Sequence, residues 1–255
     1  MSVGAEFVIL IALFSVALLY SSVGHGGASG YLAVLSLTMY GEYDSGWLKQ
    51  HAWCLNLVVA AIAFYHYQKA GHHVSKLTIP FILASVPFAI IGGYMEVDGG
   101  FYDMLLSLTL VWAAYRLFQT KEDFAEAPVN VPDNSTALPI GGTIGLMSGI
   151  VGVGGGIFLS PILLLKGWAT PKTAAATSSL FIWVNSMAGL VGSGASGQLD
   201  IDIEILTPFV FVVLLGGFIG SKYGSQIAPQ SGIRYLLISV LIIAAMKRMF
   251  TVFLI

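Results

Sequence analysis

A cluster of glycines inside an apolar stretch constrains this chain more than any other feature, and it occurs twice. The first cluster reads Ser21-Ser22-Val23-Gly24-His25-Gly26-Gly27-Ala28-Ser29-Gly30, the second Gly149-Ile150-Val151-Gly152-Val153-Gly154-Gly155-Gly156. Glycine is about 1 kcal/mol per residue worse than alanine inside a helix, yet apolar segments flank both clusters. The pattern predicts a helix broken at membrane depth, with backbone N–H groups freed at the break. Bare backbone in hydrocarbon costs several kcal/mol per group, so such breaks persist only where protein or a water-filled cavity surrounds them. A pair of glycine-interrupted apolar segments at matching places in two halves points to a transporter's binding site.

Composition supports the membrane reading. Of 255 residues, 56% are hydrophobic and only 9% charged, and the mean hydropathy is +0.85. A soluble chain carries about 25% charged residues. The apolar runs are continuous rather than alternating, which favours helices over a barrel. A net charge of −2 argues against a nucleic-acid partner. Cys54 is the single cysteine, so no intrachain disulfide can form. Residues 5–20 are apolar apart from Glu6 and Ser15, but no Lys or Arg precedes Lys49. A secretory signal needs a positive start, so this segment is expected to be a retained helix.

The first half, residues 1–119, is expected to hold a helix at about 4–22 and a break at Gly24–Gly27. A short apolar piece at 28–40 and helices at about 48–67, 76–95 and 101–119 follow. Residues 120–137, charged and carrying Pro128 and Pro132, read as a cytoplasmic linker. The second half, 138–255, repeats the plan: an apolar segment at 138–151, a break at Gly152–Gly156, and a piece at 157–166 containing Pro161. Helices at about 171–193, 203–223 and 231–254 complete it. Segments 28–40, 138–151 and 157–166 fall short of the ~20 residues a spanning helix needs, so each either spans or is re-entrant.

Gly24, Gly26 and Gly27 match Gly152, Gly154 and Gly155; Gly92-Gly93-Tyr94 matches Gly216-Gly217-Phe218; Gly71 falls near Gly197. The expected fold is therefore an all-α polytopic membrane protein built from one duplicated unit. Each repeat holds about five apolar segments, an odd number, so the repeats are expected to be inverted, with their broken helices at mid-membrane. Alternating sides along the chain puts Lys69, Lys76, Arg116, Lys121, Lys166, Lys172, Lys222 and Arg234 on one face and Lys49, Lys247 and Arg248 on the other. The positive-inside rule makes the first face cytoplasmic and places both termini on the non-cytoplasmic side of the cell's inner membrane.

A small oxyanion in a membrane needs hydrogen-bond donors without a large positive charge, and a helix N-terminus supplies them. Half-helices starting near Ala28 and Ile157 can aim two such ends at one point. Gly24, Gly26, Gly27, Gly154, Gly155 and Gly156 would let the backbone come close, or simply pack helices tightly. Ser29, Thr177, Ser178 and Ser179 are hydroxyls that can donate to an anion or bond back to the preceding turn. Cys54, Asn56 and Gln50 sit on the matching helix of the first half, with Asn56 aligned near Ser179, and Asn185 is a second amide at depth. His25 lies in the break itself. It can donate to an anion, titrate and so couple transport to protons, or close the turn as a neutral ring.

The remaining polar groups point less sharply. His66, His72 and His73 have no closed-site spacing and read as a solvated cytoplasmic edge, so no metal and no cofactor is expected. Lys49 and Lys172 open the helix after each broken segment, where they can draw anions in or snorkel to the interface. Asp200, Asp202 and Glu204 suit an external loop and helix start. Trp47, Trp112, Trp168, Tyr20 and Tyr94 suit an interfacial belt, and Trp53 and Trp183 lie further inside.

The run Gly152-x-Gly-Gly-Gly156, then Pro161, then Ala174-Ala-Ala-Thr-Ser-Ser-Leu180, resembles the sulfite exporter TauE/SafE family of membrane transporters. The first-half counterparts are Gly24-His-Gly-Gly27 and Cys54-Leu-Asn-Leu57, so the resemblance covers both halves. It implies secondary transport of a small sulfur-containing anion such as sulfite, sulfoacetate or a related sulfonate. An anion channel of the same architecture is the first rival reading. A membrane enzyme using His25 or the His66, His72 and His73 group is the second. No nucleophile–base spacing supports it and the loops are short, so no enzyme is expected.

Overall fold

The structure, a computed structural model, describes residues 3–95 and 129–229, together with Tyr115 and parts of 231–242. The helix expected at 101–119, most of the linker and most of the helix expected at 231–254 lie outside the described residues. So do Arg116, Lys121, Arg234, Lys247 and Arg248 of the charge count.

Every regular element among the described residues is helical: α1 (Val3–Ser21), α2 (Ala28–Ser36), a 3-10 turn (Met39–Glu42), α3 (Ser45–Lys69), α4 (Ser75–Tyr94), α5 (Asn134–Val151), α6 (Gly156–Leu165), α7 (Pro171–Ala195) and α8 (Ile203–Lys222). A π-helical turn, Tyr223–Ile227, extends α8. Two boundaries differ from expectation. The 28–40 piece is not one helix but α2 plus the separate 3-10 turn, and α5 starts at Asn134, so the last residues of the expected linker form its first turn.

The starts of the central helices are written in their caps. Asp44 accepts the Trp47 N–H at 2.8 Å ahead of α3, and Thr170 accepts the Thr173 N–H at 3.3 Å ahead of α7, which opens on Pro171. Asp202 does the same for α8, accepting from Glu204 and Ile205. Ser75–Tyr94, Pro171–Ala195 and Ile203–Ile227 are long and apolar enough to cross a membrane; Glu6–Ser21 and Gly156–Leu165 are apolar but shorter.

Helices α3 and α7 pack on each other at the centre. Around them, α4 packs along α5 and α7, α8 packs along α1 and α3, α2 lies on α3, and α6 lies on α7. Exchanging α1–α4 for α5–α8 leaves this set of pairs unchanged.

Glycine ladders make the two outer pairs close. Gly141, Gly145 and Gly149 of α5 rest on the carbonyls of Phe81, Ser85 and Ala89 in α4. Gly216 and Gly220 of α8, with Gly224 beyond it, rest on the carbonyls of Phe14, Leu18 and Ser22. A Cβ at any of these six positions would strike backbone. Lipid removes the hydrophobic drive between helices, so close approach at small residues is what holds such pairs together.

Candidate functional site between the two broken helices

Each break turns on a glycine that also begins the next helix. Gly27 (φ 100°) caps α2 and Gly155 (φ 81°) caps α6, both in the left-handed region. An L side chain pays roughly 1–2 kcal/mol there. Gly155 would also drive a Cβ into Phe181, Ile144 and Ser148. The breaks are fully buried: residues 20–32 and 151–161 are enclosed on every side.

Both breaks converge on one place, between α3 and α7. A Cβ at Gly26 would meet Asn56 and Ile182, and one at Gly154 would meet Asn56, Ile182 and Ser186. Gly156 faces Ile182 and Ser178. Asn56 ties the centre together: its Oδ1 accepts the Ala28 N–H at 3.0 Å, and its Nδ2 donates to Ser186 Oγ at 3.2 Å. Asn56 is the twelfth residue of α3 and Ile182 the twelfth of α7, so these two, not Asn56 and Ser179, occupy matching positions.

His25 lies within the first break and is 2% exposed. Its Nδ1 lies 3.0 Å from the Val23 carbonyl oxygen, and the Gly156 carbonyl approaches the ring from the other break. A carbonyl only accepts, so the hydrogen is assigned to Nδ1. The neutral ring then presents Nε2 as a bare acceptor, and this buried atom has no hydrogen-bond partner among the described residues. Protonating Nε2 turns it into a donor.

The structure brings His25, Gly26, Asn56, Gly154 and Gly156 together, and it sends other expected residues elsewhere. Ser29 Oγ donates to Tyr20 Oη at 3.1 Å. Thr177 Oγ1 accepts from Thr78 of α4 at 3.2 Å, Ser179 bonds back to the Ala176 carbonyl, and Ser178 pairs with Ser160 of α6 at 2.6 Å. Cys54 is half-buried, two residues along α3 from Asn56 and so on a different face. Gly24 packs on the Ala175 backbone and Gly152 on Lys49. The Ala28 amide is taken by Asn56 rather than left open, which corrects the expectation of two free helix ends. Ile182, Ser186 and Ser148 were not singled out from sequence; their spacing along ordinary helices gives no signal.

The polar groups at the start of α3 tie the two halves together. Gln50 donates to Ser193 Oγ (3.0 Å) and the Gln198 carbonyl (2.7 Å) and accepts from the Asp200 N–H (2.6 Å). His51 accepts the Asp202 N–H at 3.1 Å while its Nδ1 bonds the Trp47 carbonyl at 2.8 Å. Lys49 donates to the Ile150 carbonyl at the end of α5, and Lys172 to the Ser225 carbonyl. Trp47 is buried in a stack with Tyr40, Tyr43 and His51 instead of lying at an interface. Trp53 is buried, whereas Trp183 faces outward.

Of the three histidines at 66–73, His66 is buried and His72 and His73 are half-buried, and each has its own neighbour. His66 meets Ser221 at 2.7 Å, His72 the Ser225 carbonyl at 3.1 Å, and His73 lies edge-on to Phe64. Burial holds His72 and His73 below the ordinary histidine range, and Lys172 lowers His72 further against its Ser225 bond. The folded state therefore prefers these rings neutral. Their contribution to stability is present above about pH 6.5 and is lost as pH falls below it. Thermal unfolding in detergent across that range is expected to show falling midpoints, less steeply in His73→Phe.

An enclosed pair of broken helices, in a bundle where three described helices are long and apolar enough to cross a membrane, fits the class that comparison with known proteins gives, a membrane transporter. The match to the family model described as sulfite exporter TauE/SafE spans residues 8–248, and the chain belongs to that family. It is 32% identical over 240 residues to a probable membrane transporter protein, y4hK, of Sinorhizobium fredii, covering 93% of this chain and 95% of that one. It is 26% identical over 187 residues to the probable membrane transporter protein YunE of Bacillus subtilis, covering 66% and 65%. A probable membrane transporter protein of Xylella fastidiosa is 34% identical over 91 residues, covering 35% and 34%. No solved structure matches the chain.

Proposed function

We propose that this protein carries a small sulfur-containing anion, such as sulfite, sulfoacetate or another sulfonate, across the cytoplasmic membrane by alternating access. The repeats, 1–119 and 138–255, are inverted about the point where the breaks meet, with the linker cytoplasmic and both termini on the other side. The observation that carries the reading is the convergence of both breaks on Asn56 and Ile182. The unchanged pattern of helix pairs under exchange of the halves supports the repeat. The family description supplies the substrate class. Purified protein in vesicles is expected to give saturable exchange of labelled sulfite or thiosulfate; a non-saturating conductance would mean a channel.

His25 couples this transport to protons. Its neighbours are the Val23 and Gly156 backbones, and no charged side chain among the described residues reaches it. Nε2 must take up a proton before it can donate to an anion, so uptake should rise as pH falls. Thiosulfate, whose own charge is constant through the neutral range, is the suitable probe. Its uptake is expected to acidify the vesicle interior and to steepen at low pH, with both effects lost in His25→Gln. Uptake equally fast at all pH values, with no proton movement, would remove the coupling.

A further inference from the structure

The two broken helices do not begin alike. At α2 the Ala28 N–H is bonded to Asn56 Oδ1 at 3.0 Å. At α6 the matching position on α7 is Ile182, which has no acceptor, and Gly155 supplies no side-chain cap. The first N–H groups of a helix have no intrahelical acceptor, so those of Gly156 and Ile157 face the break with the positive end of the helix dipole.

Two polar side chains beside that end have no partner among the described residues. His25 Nε2 is one, unpartnered in the neutral ring, with the Gly156 carbonyl on its side of the break. Ser148 Oγ is the other, on the last turn of α5; Ser148 is 0% exposed, and its Cβ lies 3.3 Å from where a Cβ on Gly155 would stand. Buried polar atoms are nearly always partnered. Two orphans of different chemistry at one helix start are an unfilled demand for a ligand.

We infer that the N-terminus of α6 is the anion subsite, and that Asn56 permanently closes its mate at α2. One oxyanion head accepts from the Gly156 and Ile157 amides, from the Ser148 hydroxyl and from Nε2–H of protonated His25. Ile144, Phe181 and Ile182 wall the place with hydrocarbon. The class it fits is a compact oxyanion head, one per chain, with one unit of its charge met by the histidine proton. The inference rests on the anion reading above and assigns it to one of the two breaks.

The test is thermal unfolding of the full-length detergent-purified protein with sulfite, thiosulfate or methanesulfonate, and chloride as control. Ile182→Asn places at α6 the amide that Asn56 places at α2. It is expected to fill the subsite from within and abolish the anion-induced rise in melting point. Ser148→Ala, a smaller change, is expected to weaken the anion by about tenfold, as loss of a hydrogen bond to a charged group does; it decides the matter alone if Ile182→Asn does not fold. A wild-type response in Ser148→Ala and Ile182→Asn removes this subsite and leaves the transporter reading standing. Absence of any response in the unsubstituted protein removes the sulfur-anion reading and this subsite with it.

Discussion

Leucine at Gly145 is expected to prevent stable assembly of the α4–α5 pair. A Cβ there would already strike the Ser85 carbonyl and Cα, and backbone cannot rotate aside as a side chain can. Overpacking costs typically 1–3 kcal/mol, and against backbone the cost is expected at or above about 3 kcal/mol. Gly141 and Gly149, one turn to either side on the same ladder, prevent α5 from lifting away locally. The measurement is the unfolding midpoint and the yield of monodisperse protein in detergent. Gly194 of α7 is the control, since nothing lies within 4 Å of a Cβ there. Gly194→Ala is expected to stabilise by about 0.5–1 kcal/mol through helix propensity. An unchanged midpoint for Gly145→Leu would contradict the ladder.

Asn56→Leu is expected to cost both fold and transport, whereas Asn185→Leu is not. Both amides are fully buried. Removing Asn56 strands the Ala28 N–H, at about 1–3 kcal/mol for a buried unsatisfied group, and deprives Ser186 of its donor. It also unties α2 from α3 and α3 from α7 at the point where the breaks meet, so transport is expected to fall below detection. Among the described residues, Asn185 bonds only to Phe181 within its own helix, at 2.8 Å, and its Oδ1 is unpartnered. Its replacement removes an unmet polar group and is expected to shift stability by less than about 1 kcal/mol. Unfolding curves and vesicle uptake on the two variants give the comparison; equal effects would mean that Asn56 has no special place.

The membrane class, the two breaks and the order of helices were legible because their signals are local. Glycine runs, apolar lengths and the acidic helix start at Asp202 act within a few residues of where they stand, whereas the caps Asp44 and Thr170 read only as loop residues. The partners of the breaks were not legible, because a helix presents a hydroxyl or an amide every few residues and only packing decides which face turns inward. Thr177, Ser178 and Ser179 are neighbours in sequence, yet one meets Thr78, one Ser160 and one its own preceding turn. The stretch from cap glycine to next helix is two residues longer in the first half, Gly27 to Ser45 against Gly155 to Pro171. That difference shifts the register, which hid the correspondence of Asn56 with Ile182. The glycine ladders were visible only in part: Gly216 belonged to a matched triplet, while Gly141 and Gly145 looked like ordinary small residues of a membrane helix.

A joint made of backbone against backbone behaves unlike one made of side chains. Where glycine meets carbonyl turn after turn, sliding one helix along the other brings the bulky positions between glycines into collision, so the pair moves as a single stiff plank. That describes α4 with α5 and α1 with α8, and also α4 with α7, where Gly93 rests on Gly189 and Gly192 on Ile90. The contacts of α3 are made differently: Trp53 against Gly189, Val59 against Gly217 and Lys49 against Gly152 are side chains, which can change rotamer. The compliance of this molecule is therefore concentrated along α3, the helix that carries Asn56.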